Sequence, residues 1–226
     1  MIKLLTFYSD THLELYENYF LKSYNKFLTN EFNLKTKHIP QISSTGEYGK
    51  EGFEETMIEK IKFIIENINL NDPLPLVFAD CDVNFLNSFK TDIVKELQNF
   101  DIKFQLNHPS GELCAGFFIA KQNSKVLQFF EAVLTNLTDS LVDNTLPPGL
   151  SDQNIINYFY KNLSSEDINI GSLCPKKYYT VIHSIKDRWT NQEFTPPSEM
   201  LVHHANWVVG IDKKIELMEY IQNKLK

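Results

Sequence analysis

Apolar and polar positions alternate in blocks along the 226-residue chain, and the blocks predict strands and helices in turn. Ile2 to Phe7 is a short apolar run closed by Tyr8-Ser9-Asp10-Thr11, a cluster suited to capping an amphipathic stretch beyond it. In that stretch Leu13, Tyr16, Phe20, Tyr24 and Phe27 recur at spacings of three and four, the period of a helix. Ser43 to Gly52 is punctuated by glycine and reads as a loop, after which Phe53, Met57, Ile61, Ile64 and Ile65 place one apolar face on a helix ending near Asn67. Asn71-Asp72-Pro73 breaks the chain before Leu74 to Ala79, a continuous apolar run. Its lack of alternation predicts a strand buried on both faces, with Pro75 confined to the strand start. Ser88 to Phe100 reads as a helix, Ile102 to Leu106 and Cys114 to Ala120 as strands, and Ser124 to Leu137 as a helix turning Val126, Phe129, Phe130 and Val133 inward. Pro147-Pro148-Gly149 makes Thr145 to Leu150 a loop, and Ser151 caps a short helix through Tyr160. Leu201 to Val209 is extended, and a C-terminal amphipathic helix from Lys214 carries Ile215, Met218, Ile221 and Leu225.

This βαβ alternation, free of repeats, predicts one α/β domain over residues 1–226, a mixed but mostly parallel sheet flanked by helices, with ligands beyond the carboxyl ends of the strands. The charge balance narrows the ligands. With 22 basic against 29 acidic residues the net charge is −7, which excludes the broad positive face that nucleic acid or an anionic membrane requires. Arg188 is the only arginine, so bidentate guanidinium clamps on phosphate are nearly absent. An anionic ligand then needs a local device, such as a cation between protein carboxylates and ligand phosphates. Cys81, Cys114 and Cys174 form no CxxC pair, the apolar start is too short for a signal h-region, and no window approaches 18 apolar residues. The expectation is a cytoplasmic protein with no membrane span.

The most informative segment is LPLVFADCDVNFL, in which the buried strand delivers Asp80 and Asp82 at its carboxyl end. Two carboxylates two residues apart on extended chain point the same way, with Cβ atoms about 7 Å apart, and both can reach one hard cation. Such a DxD also opens haloacid dehalogenase-type phosphatases, where the first aspartate attacks phosphorus. Those chains begin with this strand and carry Thr or Val two residues after the second Asp, whereas here the pair lies a third of the way in and that position is Asn84. Downstream, VHHANWVVGIDKK gathers His203 or His204, Asn206, Gly210 and Lys213 or Lys214 in one stretch. An imidazole suits a metal already held by carboxylates, and a glycine followed by lysine suits a phosphate. CAGFF offers Ala115 and Gly116 as a close floor for a ligand, and Ser151-Asp152-Gln153 opens a helix.

In this order and spacing the segments resemble the GT-A nucleotide-diphospho-sugar transferases, and among them the retaining-type group, over roughly residues 43 to 214. The resemblance implies a metal-dependent glycosyltransferase that moves a sugar from a nucleotide-sugar donor, a UDP-sugar first among the candidates, to a glycan, protein or small-molecule acceptor with retention of configuration. It implies a nucleotide-binding half, residues 1–105, and a half for the donor sugar and acceptor, residues 106–226. Asp80, Asp82 and His204 are then the ligands of Mn²⁺ or Mg²⁺, His204 being favoured over His203 because Asn206 follows two residues on. Phe7 to Asp10 hold the base, Lys60 faces the donor, and Lys213, with Lys214 as the alternative, contacts the diphosphate. Gln105, Gly116, Asn206 and Gly210 line the donor site, and Asp152 and Gln153 line the reaction centre. An inverting mechanism would instead need a general base, for which Glu112 is the loop carboxylate available. A domain that binds a nucleotide sugar without turning it over is the remaining alternative. Trp189 and Trp207 are candidates for stacking on a sugar.

Overall fold

The computed structural model describes residues 1–43, 50–107, 110–142, 151–181 and 188–225. In chain order the elements are β1 (Ile2–Tyr8), a single 3-10 turn Asp10–His12, α1 (Leu13–Leu15), a π-helical turn Tyr16–Phe20, α2 (Leu21–Phe27), β2 (Phe32–His38) and α3 (Phe53–Asn67). Next come β3 (Leu76–Ala79), β4 (Val83–Phe85), α4 (Lys90–Glu96), β5 (Ile102–Asn107), β6 (Glu112–Ala120), α5 (Ser124–Val142) and α6 (Asp152–Asn162). The chain finishes with β7 (Ile170–Ser172), β8 (Tyr178–Thr180), β9 (Val202–His204) and α7 (Ile211–Lys224). Among the described residues no helix is long and apolar enough to cross a membrane.

Six strands form one sheet in the order β2-β1-β3-β6-β5-β7. The β1–β2, β1–β3 and β5–β7 pairings are parallel, and β6 runs antiparallel to both of its neighbours. This is the mixed, mostly parallel α/β sheet that the alternation predicts. Side chains leave successive strand positions on opposite faces, so the central strands feed two cores. Leu5, Phe7, Leu76, Phe78, Phe118 and Ala120 point to one face, where α3, α5 and α6 cover them with Met57, Ile61, Ile64, Val126, Phe130 and Ile155. Ile2, Leu4, Val77, Ala79, Phe117 and Ile119 point to the other, against Phe20, Tyr24, Phe85 and Ile93. Burial on both faces is why β3 reads as an unbroken apolar run, and Pro75 stands just before its first residue, where no ladder hydrogen bond is lost.

A second sheet, β4-β9-β8, lies past the carboxyl end of β3, with β9 antiparallel to β4 and parallel to β8. Helix α7 seals it through Leu217, Met218 and Ile221. The join between the two sheets is a turn and not extended chain. The Asp80 carbonyl accepts from the Val83 N–H at 3.1 Å, and this corrects the geometry expected for the acidic pair. A second irregularity faces it. The β5–β6 register runs to Phe104↔Phe118 and resumes at Gln105↔Cys114, so Ala115, Gly116 and Phe117 are extra residues on β6. The Gly116 carbonyl accepts from the Asp80 N–H at 2.8 Å, which binds the bulge to the turn.

Sequence periodicity missed β2, β4, β7 and β8. The extended stretch expected over Leu201–Val209 contracts to β9, the helix expected over Ser88–Phe100 contracts to α4, and α7 starts three residues before Lys214. The loop expected over Thr145–Leu150 and most of the one over Ser43–Gly52 lie outside the described residues. At the centre of the larger core Phe118 is 1% exposed, with ring centroids of Phe78 at 5.4 Å, Phe104 at 5.3 Å and Phe130 at 5.1 Å. Phe118→Ala is expected to lower unfolding free energy by about 3–5 kcal/mol in a urea titration.

Candidate functional site

The turn after β3, the bulge of β6, the end of β9 and helices α3, α6 and α7 meet at one point. Asp80 and Asp82 come from the turn, His204 from β9, Lys60 from α3, Asp152 from α6 and Lys214 from α7. One oxygen of each DxD carboxylate and one ring nitrogen of His204 all lie within 4.8 Å of one another. Gly116 forms the floor beneath them. A Cβ there would stand 2.3 Å from His204 Cε1 and 2.6 Å from Asp80 Oδ2, so only glycine leaves room for the cluster.

The surrounding charges alternate in sign. Lys60, 3% exposed, bridges Asp80 Oδ1 at 3.3 Å and Asp152 Oδ2 at 2.9 Å and donates to the Ala115 carbonyl at 3.2 Å. Its ammonium also sits 4.9 Å from the Phe78 ring centroid. Lys214 meets Asp82 Oδ2 at 2.5 Å and the Ala205 carbonyl at 3.0 Å, while His204 Nε2 stands 3.1 Å from Asp82 Oδ1. Burial would neutralise Lys60, but Asp152 and Asp80 overcome it and hold the ammonium above its ordinary range. Burial likewise opposes charge on Asp82, and Lys214 and His204 reverse this, keeping it well below the usual carboxylate range. Asp80 goes the other way. Burial, reinforced by Asp82, outweighs the pull of Lys60 and His204 and pushes it up to about 6. His204 is raised to about 10 because Asp82 more than offsets its burial, whereas the neighbouring His203, buried and beside a charged His204, is lowered to about 3.

The expected residues fall into two groups. Asp80, Asp82, His204, Lys60, Gly116 and Asp152 are brought together as anticipated. Asp152, 4% exposed, takes the Gln153 N–H at 2.8 Å, and Ser151 caps α6 by accepting from the Asn154 N–H at 3.3 Å. Asn206 is next to the cluster, its amide donating to Asn107 Oδ1 at 2.9 Å and Cys114 Sγ at 3.5 Å, with Oδ1 unpaired among the described residues. Gly210 takes φ 87 and starts α7.

The second group departs from expectation. Lys213 points outward to Asn191 Oδ1 at 3.0 Å and Glu216 at 2.5 Å, so Lys214 is the lysine at the site. Gln105 is fully buried and faces His204 rather than an open sugar pocket. Phe7 is turned into the core against Phe78, and Asp10 is an exposed partner of His38 at 2.7 Å. Trp189 is buried beside Tyr220 and donates to the Gln192 carbonyl, a packing role. Trp207 is 42% exposed at φ 59.

Two residues near the cluster were missed, His12 and Cys114, and Lys214 was named only as the alternative to Lys213. His12 is near enough to feel both Asp82 and Lys214, and burial lowers its pKa. Cys114 Sγ lies 3.6 Å from His204 Nδ1. Lys214 had a readable signal, because with Leu217, Met218 and Ile221 it shares the i, i+3, i+4, i+7 stripe that faces inward, and Lys213 does not.

Comparison with known proteins places the chain among GT-A glycosyltransferases. A glycosyltransferase involved in glycosylating the major capsid of PBCV-1 matches with TM-score 0.64 at 12% identity, over 97% of this chain and 98% of that one. The galactosyltransferase LgtC, solved with donor and acceptor sugar analogues, matches with TM-score 0.58 at 10% identity, over 99% and 95%. The glycosyltransferase GlyE of Streptococcus pneumoniae TIGR4 matches with TM-score 0.57 at 14% identity, over 100% of this chain and 64% of that one. No curated protein sequence matches. The profile of the nucleotide-diphospho-sugar transferase family matches residues 20–218, and the chain belongs to that family. It is a glycosyltransferase that uses a nucleotide sugar, and the haloacid dehalogenase alternative finds no support in fold or family.

Two substitutions test the geometry. Gly116→Ala should leave the fold largely intact yet displace His204 and Asp80, seen as loss of sugar transfer with a melting temperature lowered by only a few degrees. Lys60→Met leaves Asp80 and Asp152 facing each other without a cation and should cost roughly 3 kcal/mol in chemical denaturation.

Proposed function

We propose that this enzyme is metal-dependent and retaining, with Asp80, Asp82 and His204 holding Mn²⁺ or Mg²⁺ against the diphosphate of a UDP-sugar. The observation that carries the reading is the convergence of two carboxylates and one imidazole within 4.8 Å over a glycine floor. Two hard oxygens and one borderline nitrogen suit either cation and leave positions open for phosphate oxygens. When bound, the cation supplies Lewis-acid stabilisation of the leaving diphosphate.

The chain's own residues supply the remainder. Lys214 sits on the outer side of Asp82, 17% exposed, and is placed to turn its ammonium from that carboxylate to the diphosphate as charge develops there. Lys60 holds Asp80 and Asp152 in fixed orientation through an ion pair to each. Asp152 and Gln153, at the start of α6, line the donor sugar, where a fixed negative charge stabilises the positive anomeric centre. Asn206 offers its unpaired Oδ1 to the donor.

Retention is supported by where carboxylates are missing among the described residues. Glu112, the base that inversion would require, begins β6 four residues before Gly116. Asp152 is tied to Lys60. In the retaining reading the leaving phosphate takes the proton of the acceptor hydroxyl, whether that acceptor is a glycan, a protein or a small molecule.

Purified protein is expected to release nucleoside diphosphate from a UDP-sugar in Mn²⁺ and to stop in EDTA. Asp82→Ala should lower the rate on the order of a hundredfold. Full turnover in EDTA, or full turnover by Asp82→Ala, would falsify the metal role.

A further inference from the structure

A histidine binds a cation through one ring nitrogen only if that nitrogen carries the lone pair, and the partner of the other nitrogen decides which one that is. Around His204 this choice is built into the strand register. Gln105 is the first residue after the slip between β5 and β6, paired with Cys114, and its amide is fully buried. Its Nε2 donates to the Tyr179 carbonyl of β8 at 3.1 Å, which turns its Oε1 toward His204 Nδ1 at 2.9 Å. A carbonyl oxygen accepts only, so Nδ1 must be the donor. Nε2, on the far side of the ring, then faces Asp82 Oδ1 at 3.1 Å and is the nitrogen free to give up its proton. Cys114 Sγ at 3.6 Å from Nδ1 and Asn206 at 3.5 Å from that sulfur complete the enclosure.

We infer that Gln105 is the positioning residue of this site, clamping His204 so that Nε2 is its cation-binding atom. The amide reaches no substrate and acts only through the imidazole. This role rests on the metal-dependent reading above and extends it from the ligands to the group that orients one of them.

The amide and its two bonds make distinct demands. Gln105→Met fills the space with no acceptor, so His204 loses its restraint and Mn²⁺ affinity should fall roughly 10- to 100-fold. Gln105→Glu keeps an acceptor for Nδ1–H while giving up the bond to Tyr179, and should stay within roughly threefold of the parent. Mn²⁺ dissociation constants from electron paramagnetic resonance, with melting temperatures recorded alongside, read this directly without any substrate. In the Mg²⁺-loaded parent, ¹H–¹⁵N correlation spectra of His204 should show the proton on Nδ1, a measurement that needs no variant to fold. Undiminished Mn²⁺ affinity in Gln105→Met, or a proton on Nε2 in the Mg²⁺ form, overturns the positioning role alone. A parent protein that binds no Mn²⁺ overturns the metal reading and this inference with it.

Discussion

Three carboxylates at the end of a buried sheet are the constraint on which the rest of the site depends. Asp80, Asp82 and Asp152 lie where β3, β6 and α6 converge, and withdrawing each charge from water costs several kcal/mol unless a cation meets it. Each approaching element supplies one. Helix α3 brings Lys60 on its otherwise apolar face beside Met57, Ile61 and Ile64. Helix α7 brings Lys214 in the same way, and β9 brings His204. Such a network adds little net stability, because desolvation consumes most of the Coulombic gain. The fold stands on its apolar cores. The network instead fixes how the elements dock, since a shift of any one would strand a buried charge.

Within the acidic turn the two aspartates are unequal, and the cause is local. Asp82 faces two cations directly and stays ionised, whereas Asp80 shares Lys60 with Asp152 and sits beside Asp82. Its carboxyl therefore lies near the point where a proton and a cation compete. The floor under both is a three-residue bulge, in which Gly116 leaves room that a Cβ would fill.

How much of this the sequence revealed depends on length and repetition. Strands β1 and β3 and helices α3, α5 and α6 extend over enough residues for periodicity to speak, and each was legible. Strands β4, β7, β8 and β9 are three residues each, too short to establish a period. Strand β2, an edge strand reading FNLKTKH with one buried residue, resembles a polar loop. Among the site residues, Asp80, Asp82 and His204 were legible from motif order. The turn joining the aspartates was not, because extended and turn conformations of DCD share one sequence. Lys214 was separable from Lys213 by the inward stripe it shares with Leu217, Met218 and Ile221, a signal the motif spacing alone does not use.

An acidic chain with one arginine has limited means of handling a diphosphate, and the structure concentrates them. Lys60 is enclosed and committed to two carboxylates, so it orders the site without reaching outward. Among the described residues of the site, Lys214 is the lysine with an exposed margin. One ammonium cannot match a diphosphate carrying two or more charges, and the carboxylate it now faces repels that ligand. In the proposed reading a divalent cation reverses the sign of this surface. Held by Asp80, Asp82 and His204, it would offset both carboxylates, leave Lys214 free to turn toward the phosphates, and make an acidic turn of a −7 protein an anion site.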